Sequence, residues 1–391
     1  MRVLALLLIL AVPAAAKTIE LEFPQLVHRV QVAFPENFDP SRKWPAVFYY
    51  HGTSTVPDTK FIEHHTDRRD WIVVGMSYRQ RGQFTLTPET LADEIQILDS
   101  VREYLALKHS LDRKRVYVAG FSKGGWVSGL LVQRDPTIAG AAILGAGHLH
   151  RMQAQPGPFR KRTPIFLGVG REDGNYPFSL RAVTFFRSLK APVIMETWHG
   201  LGHTFPREGS PGLRQWLALE VDPTKDLTSV ASAWVDERLN EIKEIEDPVE
   251  GWLAYRELED MPYLRTLDDE KKKEVMAARK SLEADEPVAT EAKLLSAHRK
   301  LLRKEISSHA RGSYEELLLD YLRISESAPE SRQGKLAHHD HLRVEKILKH
   351  YDEQERLQEE NEALFPPEEE EPVTPTFPND GRRIPANPLI R

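Results

Sequence analysis

The sequence has 391 residues, a net charge of -6 and no cysteine. This length predicts one domain of about 200 residues with additional sequence beyond it. The lack of cysteine excludes disulfides, thiolate catalysis, thiolate zinc sites and cysteine-linked lipid anchors. The mild charge and the absence of a long basic stripe argue against a nucleic-acid partner.

The first 16 residues have the features of a secretory signal peptide. Arg2 precedes an apolar run from Val3 to Val12, and Pro13 and three alanines supply the small residues for cleavage after Ala16. The apolar run is about half as long as a membrane span requires. We therefore expect a secreted or periplasmic protein with no membrane span in its mature form; a buried N-terminal strand or helix is the alternative.

Residues 17–221 alternate predicted strands with predicted helices. Residues 17–34 have the alternation of a β-hairpin, and apolar residues at helical spacing predict a long helix over 88–108. Apolar runs predict further strands at 44–50, 71–77, 116–119, 138–144, 164–169 and 193–198, and helices at 126–131, 180–189 and 213–219. This order predicts an α/β fold in which helices cover both faces of a mostly parallel sheet.

A sharp turn separates the central predicted strand from the next helix. The run Gly120-Phe121-Ser122-Lys123-Gly124 matches the nucleophile-elbow pattern G-x-S-x-G, in which a serine occupies strained backbone between two glycines. A Cβ at either glycine would collide with the strand or the helix. The pattern predicts Ser122 as a nucleophile at a helix N-terminus, where the backbone N–H of Lys123 can face a developing oxyanion.

Two polar residues that follow later strands complete a hydrolytic set. The carboxyl ends of parallel strands meet at one edge of the sheet, so Ser122, Asp173 and His203 are expected to converge there. A serine hydroxyl needs a base to take its proton and an acid to orient that base, which predicts these roles for His203 and Asp173. Glu172 is the alternative acid, and His199 is the alternative base.

The order of these motifs resembles that of the α/β-hydrolase fold. The turn GFSKGG, the G-x-x-D that ends at Asp173 and the G-x-G-H that ends at His203 are similar to compact esterases of the dienelactone-hydrolase, polyhydroxybutyrate-depolymerase and feruloyl-esterase groups. The resemblance covers about residues 20–221. It implies that the His-Gly loop after strand 44–50 supplies a second oxyanion donor, which is the N–H of Gly52 or Thr53.

Other side chains near the same edge are candidates for substrate or metal binding. Their position after strands predicts that four of them border the substrate cleft: Tyr78, Arg79, Arg81 and His148. Two histidine groups have a spacing that permits metal ligation, namely His148 with His150, and His338 with His339 and His341. Histidines in loops and charged helices are more often solvated, so we predict no metal and no other cofactor.

The composition changes after Val221. Charged residues increase, and apolar residues at helical spacing predict a helical domain over 222–360, with breaks at Pro248, Pro262, Pro287 and Pro329. Packing against the catalytic domain is its favoured role, and binding of a protein or cell-wall partner is the alternative. The Pro- and Glu-rich segment 361–391 has little to bury and is predicted to be disordered.

Together these features predict an exported serine hydrolase that cleaves small-molecule or polymer-linked carboxylic esters through an acyl-enzyme intermediate. Two alternatives are compatible with the same residues. One is a peptidase of the prolyl-oligopeptidase type, although no β-propeller-like repeat precedes the hydrolase sequence. The other is a non-catalytic protein that keeps the fold and binds a partner through its helical region.

Overall fold

The computed structural model describes residues 17–79, 87–148, 159–308 and 310–364. The predicted signal peptide (1–16), Arg81, His150 and residues 365–391 lie outside the described residues. Within the described ranges, no helix combines the length and the apolar character that a bilayer span requires.

In the described part of the chain, eight strands form one sheet. They are β1 (Thr18–Leu21), β2 (Val30–Ala33), β3 (Trp44–Tyr50), β4 (Ile72–Met76), β5 (Leu111–Phe121), β6 (Gly140–Leu144), β7 (Ile165–Gly170) and β8 (Val193–Trp198). Their spatial order is β1-β2-β4-β3-β5-β6-β7-β8; the β1–β2 and β2–β4 pairs are antiparallel and the other pairs are parallel. The predicted α/β class with a mostly parallel sheet is confirmed.

Helices cover both faces of this sheet and bury two apolar layers. One face carries α2 (Pro88–Lys108), α3 (Lys123–Arg134) and α4 (Tyr176–Ser188), and the other carries α1 (Lys60–His65) and α5 (Pro211–Val221). Successive residues of a strand point to opposite faces, so Phe48 packs in the first layer and Val47 in the second. Every residue of β3 is buried, as expected for an interior parallel strand.

The turn from β5 into α3 approaches its neighbours so closely that two glycines are required. A Cβ at Gly120 would lie 2.2 Å from the carbonyl carbon of Gly124. A Cβ at Gly124 would lie 1.8 Å from the carbonyl oxygen of Tyr50, at the end of β3. Between these glycines, Ser122 has a φ of 56°, in the left-handed region. The predicted steric reason for the two glycines is thus visible as backbone contact with β3 and α3.

Beyond the sheet, the described chain is helical. The helices are α6 (Thr228–Lys243), α7 (Pro248–Asp260), α8 (Pro262–Thr266), α9 (Asp269–Leu282), α10 (Glu286–Ser307), α11 (Arg311–Ser327) and α12 (Arg332–Leu364). Pro248 and Pro262 begin helices instead of lying between them, because the first helical position needs no intrahelical N–H bond. Helix α12 continues to Leu364, past the predicted start of the tail at residue 361.

The helical region has apolar clusters of its own and meets the sheet domain partly through polar contacts. Ala231 and Val235 of α6 share one cluster with Leu258 of α7. At the boundary with the sheet domain, the Arg181 Nε–H of α4 donates to the carbonyl oxygen of Ile306 at 2.9 Å. The helices α6–α12 are therefore attached to the sheet domain by directional hydrogen bonds as well as by packing.

Gly124→Ala is expected to lower the free energy of unfolding by about 3 kcal/mol or more, because the added methyl group overlaps a backbone oxygen of β3 that cannot move aside. Urea denaturation followed by tryptophan fluorescence measures this change. The matched control is Gly312→Ala in the exposed first turn of α11, where nothing lies within 4 Å of the added Cβ. The control should be neutral or stabilising by up to about 1 kcal/mol; equal stability of the two variants would contradict the account of the turn.

Candidate active site

Three polar side chains meet at the carboxyl edge of the parallel strands. Ser122 follows β5, and Asp173 and His203 follow β7 and β8. His203 Nε2 lies 2.8 Å from Ser122 Oγ, and His203 Nδ1 lies 2.7 Å from Asp173 Oδ2. The structure therefore brings together the three residues that the sequence singled out, in one hydrogen-bonded chain.

Asp173 fixes the direction of this chain. Its side chain is only 2% exposed, and its Oδ1 accepts a hydrogen bond from the backbone N–H of Asn175 at 2.8 Å. Because an ionised carboxylate can only accept, His203 donates from Nδ1 and leaves Nε2 to accept the Ser122 proton. The hydrogen bond and the negative charge of Asp173 raise the pKa of His203, although partial burial of the ring opposes them.

The loops that carry Asp173 and His203 are attached to each other. The backbone N–H of Glu172 donates to the carbonyl oxygen of Leu201 at 2.9 Å. A Cβ at Gly170 would lie 2.3 Å from the carbonyl oxygens of Leu201 and Gly202, so only glycine permits this crossing. The close approach keeps the carboxylate and the imidazole at hydrogen-bond distance.

The alternative acid and base point elsewhere. Glu172 lines a cavity of about 960 Å³ between its own turn and the helical region. His199 Nε2 lies 3.5 Å from a carboxylate oxygen of Glu257 on α7. Burial, assisted by nearby arginines, lowers the pKa of His199 to about 3, so its ring is neutral and far less basic than that of His203. The geometry favours Asp173 and His203 over these two residues.

The β3–α1 loop lies beside Ser122. A Cβ at Gly52 would lie 3.9 Å from Ser122 Cβ. The Gly52 carbonyl accepts hydrogen bonds from His51 Nδ1 at 2.7 Å and from Thr55 Oγ1 at 3.2 Å. A trans peptide places its N–H opposite its carbonyl, so these bonds also set the direction of the Thr53 N–H. Of the two candidate donors of this loop, Gly52 lies next to the serine, and Thr53 is the following residue.

Tyr78 supports this loop from below. Its ring is 3% exposed, and its hydroxyl donates to the carbonyl oxygen of His51 at 2.5 Å, which orients the peptide that carries the Gly52 N–H. The ammonium group of Lys123 lies 4.2 Å from the Tyr78 ring centroid. Partial burial lowers the pKa of Lys123 to about 8, although Glu94 opposes the shift. The backbone N–H of Lys123 is the first of α3, at the end of the helix that faces Ser122.

The positions of Tyr78, Arg79 and His148 after strands predicted that they border the substrate cleft. In the structure, the three side chains have different surroundings. Tyr78 is buried under the β3–α1 loop, so it contributes support more than surface. Arg79 is half-exposed, and its guanidinium lies 2.5 Å from Asp93 on α2. The ring of His148 is buried and stacks on Phe185 with 3.8 Å between centroids. Arg79 is thus the most exposed of the three.

Two residues of the site were not predicted. The ring of Phe121 stacks on His203 with 5.2 Å between centroids and limits rotation of the imidazole. Asn175 donates its backbone N–H to Asp173 and its side-chain amide to the Gly145 carbonyl at 2.8 Å, which connects the acid turn to the end of β6. Both residues lie within or beside the predicted motifs: Phe121 is the first x of G-x-S-x-G, and Asn175 lies two residues after Asp173. No local signal distinguishes them from ordinary turn residues.

Within the described ranges, no group of three or more His, Asp and Glu side chains could hold a metal ion. His338 and His341 lie on α12 with 6.2 Å between their ring centroids, and His341 Nδ1 is bonded to the Leu318 carbonyl at 3.0 Å.

Comparison with known proteins gives similarity in structure only. No protein-family model matches the chain, and no curated protein matches its sequence. Similar solved structures include SOBER1 of Arabidopsis thaliana, at 14% identity over 46% of this chain and 99% of that chain with a TM-score of 0.38. A Bacillus cereus carboxylesterase has 17% identity over 53% and 95% of the two chains and a TM-score of 0.41. A CE1 ferulic acid esterase from Anaeromyces mucronatus has 17% identity over 53% and 86% and a TM-score of 0.35.

These values are too low to carry an argument about activity. The fold rests on the molecule itself: the strand order, the strained serine after β5, and the chain order Ser122, Asp173, His203. Residues 17–221 therefore have the α/β-hydrolase fold.

Proposed function

We propose that this protein is an exported serine hydrolase that cleaves carboxylic esters through an acyl-enzyme intermediate. Ser122 is the nucleophile, His203 the base and Asp173 the acid. The observation that supports this most strongly is the position of His203, with one ring nitrogen 2.8 Å from Ser122 Oγ and the other 2.7 Å from Asp173. This is the geometry that proton transfer from a serine requires.

The first step acylates the enzyme. Ser122 Oγ attacks the ester carbonyl carbon while its proton passes to His203 Nε2, and the carbonyl electrons move onto the oxygen. The tetrahedral intermediate collapses, His203 returns the proton to the departing alkoxide, and the alcohol leaves. The products of this step are an acyl ester on Ser122 and one alcohol.

The second step repeats these proton transfers with water as the nucleophile. His203 takes a proton from water as its oxygen attacks the acyl carbon, and then returns the proton to Ser122 Oγ as the acid leaves. The side chain of His203 is 42% exposed, which gives both ester and water a path to Nε2. Asp173 stays ionised throughout and stabilises the imidazolium that forms twice per turnover.

The negative charge on the carbonyl oxygen needs hydrogen-bond donors. We assign the backbone N–H of Lys123 and one N–H of the β3–α1 loop, from Gly52 or Thr53, to this role. The support for it is the proximity of Gly52 to Ser122 and the fixed peptide orientation behind both groups. Loss of one such donor typically costs about 10²–10³-fold in turnover.

Asp173→Asn is expected to lower the pKa of His203 toward its ordinary value, because the variant loses the carboxylate whose hydrogen bond and negative charge raise it. Titration of the imidazole signals by NMR measures the change. Glu172→Gln is the matched control and should leave the pKa of His203 unchanged. A shift in Glu172→Gln with none in Asp173→Asn would contradict the assignment of the acid.

The pH dependence of kcat/KM should have an acidic limb above the ordinary histidine pKa of about 6.5, because His203 must be deprotonated to act as a base and its pKa is raised. Activity should therefore rise with pH through the raised pKa and fall as pH decreases below it. Initial rates on an uncharged aryl ester across pH 5–9 measure the limb. A limb well below 6.5 would contradict a role for the Asp173-bonded imidazole.

The direct test is labelling with a fluorophosphonate probe, followed by hydrolysis of short-chain aryl esters and of matched aryl amides. Ser122→Ala and His203→Ala should lose labelling and about 10⁶-fold in turnover, and Asp173→Asn should keep more activity than either. Gly312→Ala serves as a folded control with full activity. Faster cleavage of amides than of esters would indicate a peptidase instead of an esterase. A folded protein that does not react with the probe would contradict the proposal.

A further inference from the structure

A buried ion pair connects the acid turn to the helical region. Arg171 follows β7, and its Nη2 lies 2.9 Å from Asp340 Oδ2 on α12, with Nη1 3.4 Å from the other carboxylate oxygen. The two side chains are 5% and 2% exposed. His298 on α10 lies 2.7 Å from the same Asp340 oxygen and donates to it, since a carboxylate can only accept.

The charged and aromatic groups around the ion pair fix the direction of this contact. Burial alone would raise the pKa of Asp340, but Arg171, the hydrogen bond from His298, and the nearby His339 and Arg343 together outweigh burial and hold the pKa well below its ordinary range. The guanidinium of Arg171 also lies over the ring of Tyr176, 4.5 Å from its centroid. A planar guanidinium held by two carboxylate oxygens and an aromatic face has little rotational freedom.

Arg171 is two residues before Asp173 in the same turn. Some hydrogen bonds of this turn are internal: the Asp173 N–H donates to the Gly170 carbonyl, and the Tyr176 N–H donates to the Asp173 carbonyl. Bonds from the turn to other elements include those of Glu172 with Leu201 and of Asn175 with Gly145, and the Arg171–Asp340 pair. Of these three, only the ion pair leads outside the hydrolase sheet domain.

A buried ion pair is weak evidence for stability, because the lost hydration of the two ions offsets much of their attraction. Its directionality is the property that an apolar pair would lack. We propose that the helical region positions the catalytic acid: Asp340, with His298, holds Arg171 and thereby sets the position of Asp173 relative to His203. Asp340 and His298 are positioning residues, and the inference rests on the proposed function of the triad.

Backbone contacts connect the acid turn to the loop that carries His203. The Glu172 N–H binds the Leu201 carbonyl, and the loop with Leu201 crosses directly over Gly170 on its way to His203. A displacement of the acid turn would therefore alter the distance between Asp173 and the imidazole. A misplacement of about 1 Å in such a site can cost up to about 10²-fold in rate.

The test uses Asp340→Asn in the full chain. We expect a fall in kcat of about 10–100-fold with KM nearly unchanged, and a lower pKa of His203 by NMR, because the imidazole loses its contact with Asp173. The acidic limb of kcat/KM should move to lower pH for the same reason. The matched control is Glu259→Gln, a partly buried carboxylate of α7 that accepts a hydrogen bond from Arg279 Nε on α9 at 2.7 Å and has no ion pair or hydrogen bond with Arg171, Asp340 or His298.

The control separates positioning from general loss of packing. Glu259→Gln should keep the pKa of His203 and the pH limb of the unmodified protein even where its melting temperature falls. Equal effects of the two variants on the pKa of His203, or no effect of Asp340→Asn, would overturn the proposal. If Asp340→Asn does not fold, Arg171→Lys keeps the buried charge but loses the two-point contact, and the same shift in the pKa of His203 is expected.

The NMR titration reads the position of Asp173 without any turnover. A lack of probe labelling at Ser122 in the unmodified protein would therefore overturn the proposed function alone. An unchanged pKa of His203 in Asp340→Asn, with labelling intact, would overturn the positioning role alone.

Discussion

The backbone of Ser122 is the constraint on which the rest of the site depends. A residue with a side chain is held at a φ of 56° only when its surroundings over-determine it, and here they are the backbone of β3 on one side and the first turn of α3 on the other. Gly120 and Gly124 permit that approach. The strain raises Oγ above the sheet edge, where the loops after β7 and β8 can reach it.

The rest of the site depends on how closely the loops after β7 and β8 approach each other. Asp173 and His203 come from separate strands, yet the crossing at Gly170 and the bond from Glu172 to Leu201 join their loops before any side chain interacts. The buried carboxylate then selects the tautomer of the imidazole. A hydroxyl, an imidazole and a carboxylate have ordinary reactivity when they are far apart. Here they form a proton-transfer chain because three backbone segments are fixed against one another.

The helical region reaches this arrangement through charged side chains. Its apolar clusters are built among its own helices, whereas Asp340 and His298 reach across to Arg171. Ion pairs buried at such a boundary tolerate little displacement, because separating them leaves both charges unsolvated. This gives the region a physical connection to the acid turn that a loosely packed appendage would lack.

The sequence allowed prediction of most of the sheet, since each interior strand is encoded by its own apolar run; the predicted ranges 44–50 and 193–198 coincide with β3 and β8. Local spacing also placed Ser122, Asp173 and His203 after strands. It gave no signal for α1, which is short and mostly polar, or for the 33-residue length of α12. The support of the β3–α1 loop by Tyr78 and the pairing of Arg171 with Asp340 depend on contacts between distant parts of the chain, which no local pattern encodes.

The central claim is that Ser122 becomes covalently acylated during turnover. Rapid-quench mass spectrometry of the full chain mixed with a slowly deacylating aryl ester tests it, with peptide mapping of the modified residue. The account predicts a transient mass increase equal to one acyl group in place of one hydrogen, located on Ser122. Ester hydrolysis that proceeds with no adduct, or with the acyl group on another residue, would contradict it.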